Sequence, residues 1–320
     1  MICQFIDAQK ARFGVVPICR ALSEHGVQIA PRTYWAHRSR PPSRRALWDT
    51  TITEVLAGIY EPDRRGRRPP EALYGSLKMW AYLQRHGIPV ARCTAGRLMR
   101  VNGWRGTTRA RTDRTTVPRP GDQRAPDLVN RQFTASRPDQ LHVADFTYVP
   151  LDGGGFGYTA LVIDAFAGLI TGWECSLSKE TAFVERAIRQ ATALRRRQGR
   201  PLTGATIHHS DAGSQYTSVR FGETLQLAGM IPSIGTVGDA YDNALAETTM
   251  GLYKTECVRG DSPFRTGPIT TLAGLEDITS AWVHWYNTSR LMHRLGRRSP
   301  AEAEADYYAH NRDGQPAVRT

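Results

Sequence analysis

The chain has 320 residues, 40% of them hydrophobic and 22% charged, enough for one substantial core and one or two smaller modules. No run approaches the roughly 18 apolar residues that a membrane span needs, and the first residues lack a basic start followed by an apolar stretch, so the chain reads as cytoplasmic. Five scattered cysteines (Cys3, Cys19, Cys93, Cys175 and Cys257) show no CxxC and no Cys/His pairing, which argues against zinc and against a disulfide framework.

The net charge of +12 is unevenly placed. Residues 1–136 carry 24 of the 42 Lys and Arg but only 10 of the 30 Asp and Glu, a net of +14, which leaves −2 for residues 137–320. Codon bias explains arginine over lysine, but not this asymmetry. A basic arm joined to a domain with another task is the pattern of a polyanion binder.

In chain order, the first feature is an internal echo. Leu22-Ser-Glu-His25-Gly26-Val27-Gln-Ile29-Ala30 recurs as Leu83-Gln-Arg-His86-Gly87-Ile88-Pro-Val90-Ala91. An apolar-periodic helix precedes each copy, the glycine offers the positive φ that ends a helix, and a second short helix follows, over Arg32 to His37 and over Thr94 to Val101. Helix, glycine turn, helix is the grammar of a helix-turn-helix, although many such pairs never touch DNA. The surrounding arginines, among them Arg92, Arg97, Arg100, Arg109, Arg111 and Arg114, tilt the reading towards DNA, with Arg92, Arg97 and Arg100, in and just before the second helix, as candidate contacts. Residues 1–48 are taken as an N-terminal helical unit, 49–118 as a basic helix-turn-helix-like region and 119–136 as linker, since Thr107 to Pro126 holds almost no large apolar side chain.

After Pro138 the texture changes to strands. Leu141 to Val149, Tyr158 to Ala165 and Leu169 to Cys175 have short connections and predict an antiparallel meander. A helix over Thr181 to Arg197, a strand over Ala205 to His209, a helix over Ser218 to Ala228, a strand over Met230 to Ile234 and a helix from near Asn243 past Lys254 complete the order βββαβαβα. The expectation is an α/β fold, a mixed five-stranded sheet with flanking helices, over residues 137–303, preceded by the basic all-α region and followed by a tail, 304–320.

Three carboxylates stand out on this frame. Period-two alternation sets Asp145 on the face of Leu141 and Val143, an expensive place for a charge unless it is paired or binds a cation. Asp211 follows the fourth strand, where a sheet presents functional groups. Glu247 lies in the first turn or so of a helix, with Lys254 two turns further on nearly the same face. Each has an ordinary structural reading by itself. The order of strand, strand end and helix lets all three meet at one sheet edge, where carboxylates repel one another unless divalent cations lie between them. Oxygen-only ligation favours Mg²⁺ or Mn²⁺, and two ions about 4 Å apart suit an in-line phosphoryl displacement. His208 and His209 point to opposite faces and read as packing residues, Asp164 as structural, and the loop containing Gly235 to Gly238, flanked by Asp239 and Asp242, as mobile.

At these positions the sequence resembles a known family. Asp145-Phe-Thr-Tyr148, His208-His-Ser-Asp-Ala-Gly-Ser-Gln-Tyr216, and Tyr241-Asp-Asn-Ala-Leu-Ala-Glu247 followed by Gly251-Leu-Tyr-Lys-Thr-Glu256 look like the three catalytic motifs of the IS-three family transposases, with 35 residues between Asp211 and Glu247. The likeness extends from the N-terminal helices to Trp285-Tyr-Asn287, Arg290, Leu295-Gly296 and Ser299-Pro300. It implies a DDE active site of Asp145, Asp211 and Glu247 on a ribonuclease-H-like core, Mg²⁺ as cofactor, and Lys254 as a DNA contact. It also implies double-stranded DNA partners (terminal repeats and target), a homo-oligomer working on DNA at the nucleoid, and an upstream reading-frame product as a further partner. His142, Ala212 and Met292 depart from the family's usual residues, and no role is given to a C-terminal histidine. Two other readings stay open, a ribonuclease-H-type nuclease without strand transfer and a decayed DNA-binding protein.

Overall fold

The computed structural model describes residues 1–108, 127–129, 133–211, 216, 219–234 and 244–312. The expected linker core, Arg109, Arg111 and Arg114, the Gly235 to Gly238 loop, Asp239 and Asp242 lie outside the described residues. The chain divides into two compact units, Met1–Val55 and Leu56–Thr320. No helix among the described residues is long and apolar enough to cross a membrane.

The first unit holds α1 (Ile2–Phe13), α2 (Val15–Glu24), α3 (Pro31–Ser39) and the start of α4 (Arg44–Tyr60). Its apolar spacing buries Ile6, Val15, Ile18, Cys19 and Tyr34 together. The Tyr34 hydroxyl and the Lys10 ammonium both donate to Asp7 Oδ1 at 2.7 Å, which satisfies the polar end of a buried ring.

The echo seen in the sequence folds twice into the same turn. His25 Nδ1 donates to the Ala21 carbonyl at 2.8 Å and His86 Nδ1 to the Tyr82 carbonyl at 2.8 Å, while Val27 N bonds Leu22 O and Ile88 N bonds Leu83 O, each at 2.9 Å. Gly26 (φ 87°) and Gly87 (φ 73°) supply the left-handed conformation that closes both helices. In the second copy α5 (Ser76–Arg85) and α6 (Arg92–Val101) enclose Met79, Leu83, Val90, Ala95, Leu98 and Met99.

The catalytic-type sheet has β1 (Leu141–Pro150), β2 (Phe156–Asp164), β3 (Leu169–Ser176), β4 (Thr206–Ser210) and β5 (Met230–Ile234), in the order β3-β2-β1-β4-β5. Short turns make β1, β2 and β3 an antiparallel meander. The connections carrying α7 (Thr181–Arg197) and α8 (Val219–Leu227) are long enough to bring β4 and β5 in parallel to β1. On one face Ala144, Ala160 and Val162 pack under Phe183, Val184, Ala187 and Ile188 of α7 and Phe221 and Leu225 of α8. Gly172 permits the close approach of α7, since a Cβ there would stand 2.1 Å from the Ala187 carbonyl oxygen.

The other face receives α9 (Ala244–Tyr253) and α10 (Leu272–Thr288). Tyr253 Oη is hydrogen-bonded to Thr159 Oγ1 at 3.1 Å and to Thr279 Oγ1 at 2.7 Å, so one phenol joins α9, β2 and α10. At the edge of the sheet, Asn287 accepts from Ile170 N at 2.9 Å and donates to Ile170 O at 2.8 Å, occupying backbone groups that an edge strand leaves open.

Two ion-pair systems tie distant segments together. Arg195, fully buried on α7, donates to Asp139 (2.8 Å), Asp164 (3.0 Å) and Glu304 (2.6 Å). Asp164 is thus structural, as the sequence suggests. Glu304 lies within α11 (Pro300–Arg312) and is nearly buried, so the segment set apart as a tail begins inside a packed helix whose acid is drawn to Arg195. The helix-turn-helix-like pair is fastened to α10 and α11. Trp285 Nε1 donates to Glu71 at 3.0 Å, Tyr74 Oη donates to Ser289 O at 3.1 Å and accepts from Leu291 N at 3.1 Å, and Arg85 pairs with Glu302.

Candidate active site

Strand register brings the first two carboxylates together. In the parallel pairing of β1 with β4 the last matched residues are Ala144 and Ser210, so Asp145 and Asp211 each stand one residue beyond the ladder on neighbouring strands. Neighbouring strands run about 4.8 Å apart. Asp145 Oδ1 accepts the Phe146 backbone N–H at 2.7 Å. Asp211 is half-buried, and Glu247, fourth residue of α9, is exposed.

The electrostatics show how close the group is. Burial, then the charge of Asp211, and further the charge of Glu247 push the Asp145 carboxyl up to about 8, although the Phe146 N–H and Lys254 work in the opposite sense. The three acids chosen from the sequence therefore share one field, the crowding that a divalent cation relieves.

Lys254 does not continue an α-helix as expected. Lys254–Val258 is a π-helical stretch that widens the last turn after α9, a deviation associated with functional sites. Its anchor is Glu256, buried and bonded to Arg290 (Nε to Oε2, 2.8 Å) and to Trp282 Nε1 at 3.4 Å. The Lys254 ammonium sits 5.0 Å from the centre of the Tyr148 ring. Nothing in the 3.6-residue period announces this widening. The combination of Glu256 in the third motif with Arg290 downstream was the only hint.

The remaining candidates separate from this site. Arg92 and Arg100 are exposed and Arg97 half-buried on α6, a different element from those that carry the acids. His208 is buried against Phe221, with its ring centre 5.7 Å away, and burial drives its pKa down to about 3, so it is neutral. His209 Nδ1 lies 2.9 Å from Ser233 Oγ.

A second acidic group has metal-like geometry and was missed as a cluster in the sequence. Donor atoms of Asp139, His142 and Asp164 lie within 4.8 Å of one another. His142 Nε2 donates to Asp139 at 2.8 Å, and the Arg195 guanidinium already supplies the positive charge. Burial disfavours the Asp139 anion, but His142 and Arg195 outweigh it and hold the carboxyl below its ordinary value.

Comparison with known proteins agrees with this architecture. The integrase core domain family matches residues 135–240, a second integrase core domain profile matches 228–300, and an HTH-like domain matches 48–112. The chain is 43% identical over 309 residues to the transposase for insertion sequence element IS629 of Shigella sonnei, covering 95% of this chain and 96% of that one. It is 44% identical over 281 residues to a putative transposase for IS986/IS6110 of Mycobacterium tuberculosis, covering 88% and 96%. Among solved structures, the HTLV-2 integrase catalytic core domain in complex with magnesium aligns with 53% of this chain and 98% of its own, at 19% identity and a TM-score of 0.40.

Proposed function

Because the chain belongs to the IS-three family of insertion-sequence transposases and is a DDE-type transposase/integrase enzyme, we propose that it cuts the 3′ ends of its element and joins them to target DNA, with Asp145, Asp211 and Glu247 as the metal-holding catalytic acids. The observation that carries this reading is the placement of the acids, with Asp145 and Asp211 each one residue beyond the last matched pair of β1 and β4, and with both Asp211 and Glu247 acting on the Asp145 carboxyl to push it up. A site that resists its own ionisation at neutral pH is one that gains from a hard divalent cation. His208 is packed in the core against Phe221 and His209 faces Ser233, and an all-oxygen donor set fits Mg²⁺ or Mn²⁺. When bound, such ions, two in this proposal, supply an activated oxygen nucleophile and charge neutralisation at the leaving oxygen.

The protein's own residues then divide the remaining work. The Phe146 N–H fixes the orientation of Asp145. Lys254 offers a positive charge to a phosphate beside the acids, and Arg92, Arg97 and Arg100 bind the terminal-repeat duplex. Duplex DNA, both element end and target, is the partner, with a homo-oligomer as the working form and an upstream reading-frame product as a further partner. The test is a single-turnover joining assay with a labelled element end, target plasmid and Mg²⁺, run beside a gel shift. Wild type should yield joined products, whereas Glu247→Gln should bind DNA normally and lose on the order of 10²-fold or more in joining. Joining retained by Glu247→Gln would refute the three-carboxylate reading, and cleavage without joining by wild type would mean a nuclease.

A further inference from the structure

Beyond the acids, the outer end of the β1–β2 hairpin carries an arrangement that the metal chemistry does not use. β4 stops pairing at Ala144, so among the described residues no strand pairs with the rest of β1 on that side. On this stretch Tyr148 is 42% exposed, and Phe156, across the hairpin, is 51% exposed. Their rings meet edge to face with centres 5.5 Å apart at 83°. The Lys254 ammonium lies 5.0 Å from the Tyr148 ring centre and also acts electrostatically on Asp145.

Single exposed aromatics are ordinary and need no explanation. Two that brace each other, with a cation at one ring and a catalytic acid three residues away, make a different surface. Edge-to-face packing fixes the angle of the Tyr148 ring, so a stacking partner meets a pre-set plane. Three residues of extended strand span about 10 Å. The odd spacing turns the two side chains to opposite faces of β1, and Lys254, which sits at the Tyr148 ring and acts on Asp145, links them at the hairpin end. Stacked nucleotides in one DNA strand are about 3.4 Å apart, so a strand crossing this end of β1 brings a base two or three nucleotides from a phosphate at Asp145 to the Tyr148 ring.

We propose that Tyr148, braced by Phe156, is a stacking platform for an unpaired nucleobase next to the cleavage point, with Lys254 on the adjoining phosphate. The proposal rests on the DNA-joining reading above and names a positioning site within it. An aromatic ring takes any base, because every base presents a π-face, while the ammonium takes the backbone. The platform therefore stabilises an opened end irrespective of sequence, and brings the strand to the acids in one conformation.

The experiment uses the full chain and element-end duplexes with 2-aminopurine placed singly at each of the six positions flanking the cut, in Ca²⁺ to prevent turnover. Wild type should change the emission at one or two neighbouring positions only. Tyr148→Phe should preserve that pattern, whereas Tyr148→Leu and Phe156→Leu should erase or weaken it and slow joining in Mg²⁺ by roughly 5- to 150-fold, the range for losing one base–aromatic stack. The loss for Tyr148→Leu should leave the salt slope of binding unchanged, in contrast to removal of a phosphate contact. Tyr148→Leu with wild-type emission and wild-type joining would overturn the platform, as would a Tyr148→Phe defect as large as that of Tyr148→Leu. Neither outcome touches the three acids, which stand or fall on Glu247→Gln.

Discussion

Two clusters of three carboxylates, one including Asp139 just before β1 and the other including Asp145 within it, differ in what lies at their centre. Asp139, Asp164 and Glu304 surround a buried guanidinium, and Asp139 sits below its ordinary pKa. Around Asp145 the charges of Asp211 and Glu247 work against ionisation and that of Lys254 in its favour, and its carboxyl is raised to about 8. Donor-atom geometry alone picks out the first group, Asp139 and Asp164 with His142. The difference teaches that close donor atoms do not by themselves mark a metal site, because the charge already among them decides what they hold. The cation of the first cluster is covalently part of the chain and makes structure. The second, on the proposed function, takes its cation from solution.

The largest expected effect comes from removing the resident cation. Arg195→Met should cost about 3–5 kcal/mol of stability by stranding buried carboxylates, measured by urea unfolding. A cost below 1 kcal/mol would show the first cluster to be as tolerant as an exposed one. Next, matched charge removals should have opposite consequences. Asp145→Asn should lower joining by on the order of 10²-fold or more while leaving metal-free thermal stability equal or higher. Asp139→Asn should lower stability by about 1.5–3 kcal/mol, the worth of hydrogen bonds to a charged group, with joining by the folded fraction intact. Identical signs for the two would erase the distinction.

Titration sharpens the same contrast. With a folded pKa of about 8 against an ordinary 3.8, Asp145 keeps a proton in the folded protein that the unfolded chain has released. Its contribution therefore makes the metal-free protein less stable as pH rises from about 4 towards 8, and Asn at 145 should flatten that slope. Asp139, depressed in the fold, contributes stability that is present above 3.8 and is lost as pH falls through its lower folded value. Denaturation midpoints of wild type and the two Asn variants from pH 3 to 9, with and without Mg²⁺, check both signs, and Mg²⁺ should raise the midpoint of wild type but much less that of Asp145→Asn. The smallest effect expected is that of Lys254→Ala, which should reduce the log–log salt slope of end binding by about 0.9, one phosphate contact.

Much of this was legible in the sequence, for a physical reason. Period-two patterns gave the five described strands, 3.6-residue patterns gave α2, α3 and α5 to α9 but not α1, α4 or α10, and the echo around His25 and His86 is a local turn written into nine residues. The acids could be chosen because the order of strand, strand end and helix constrains where they meet. What the sequence concealed was long-range pairing. Arg195 selects partners 31, 56 and 109 residues away, and Asn287 caps a strand 117 residues away. The π-helical widening at Lys254 depends on Glu256 meeting Arg290, and the Tyr148–Phe156 brace depends on hairpin register. None of these leaves a periodic trace.

The fastening of α5 and α6 to α10 and α11 has a consequence for the geometry of the reaction. Arg85 holds Glu302 and the Arg297 carbonyl, Tyr74 holds Ser289 and Leu291, and Glu71 holds Trp285, so the helix pair and the catalytic sheet belong to one unit. With α6 reading the terminal repeat as proposed, the chain is a ruler laid along the double helix, with its reading mark and its cutting mark in one compact unit. Five extra base pairs between the repeat and the cut would rotate the scissile phosphate by about half a turn, to the far side of the duplex. Ten would restore its facing but displace it by about 34 Å. Both insertions should leave gel-shift affinity for the repeat in place while removing cleavage at the native phosphate, if the two marks move together as parts of that unit.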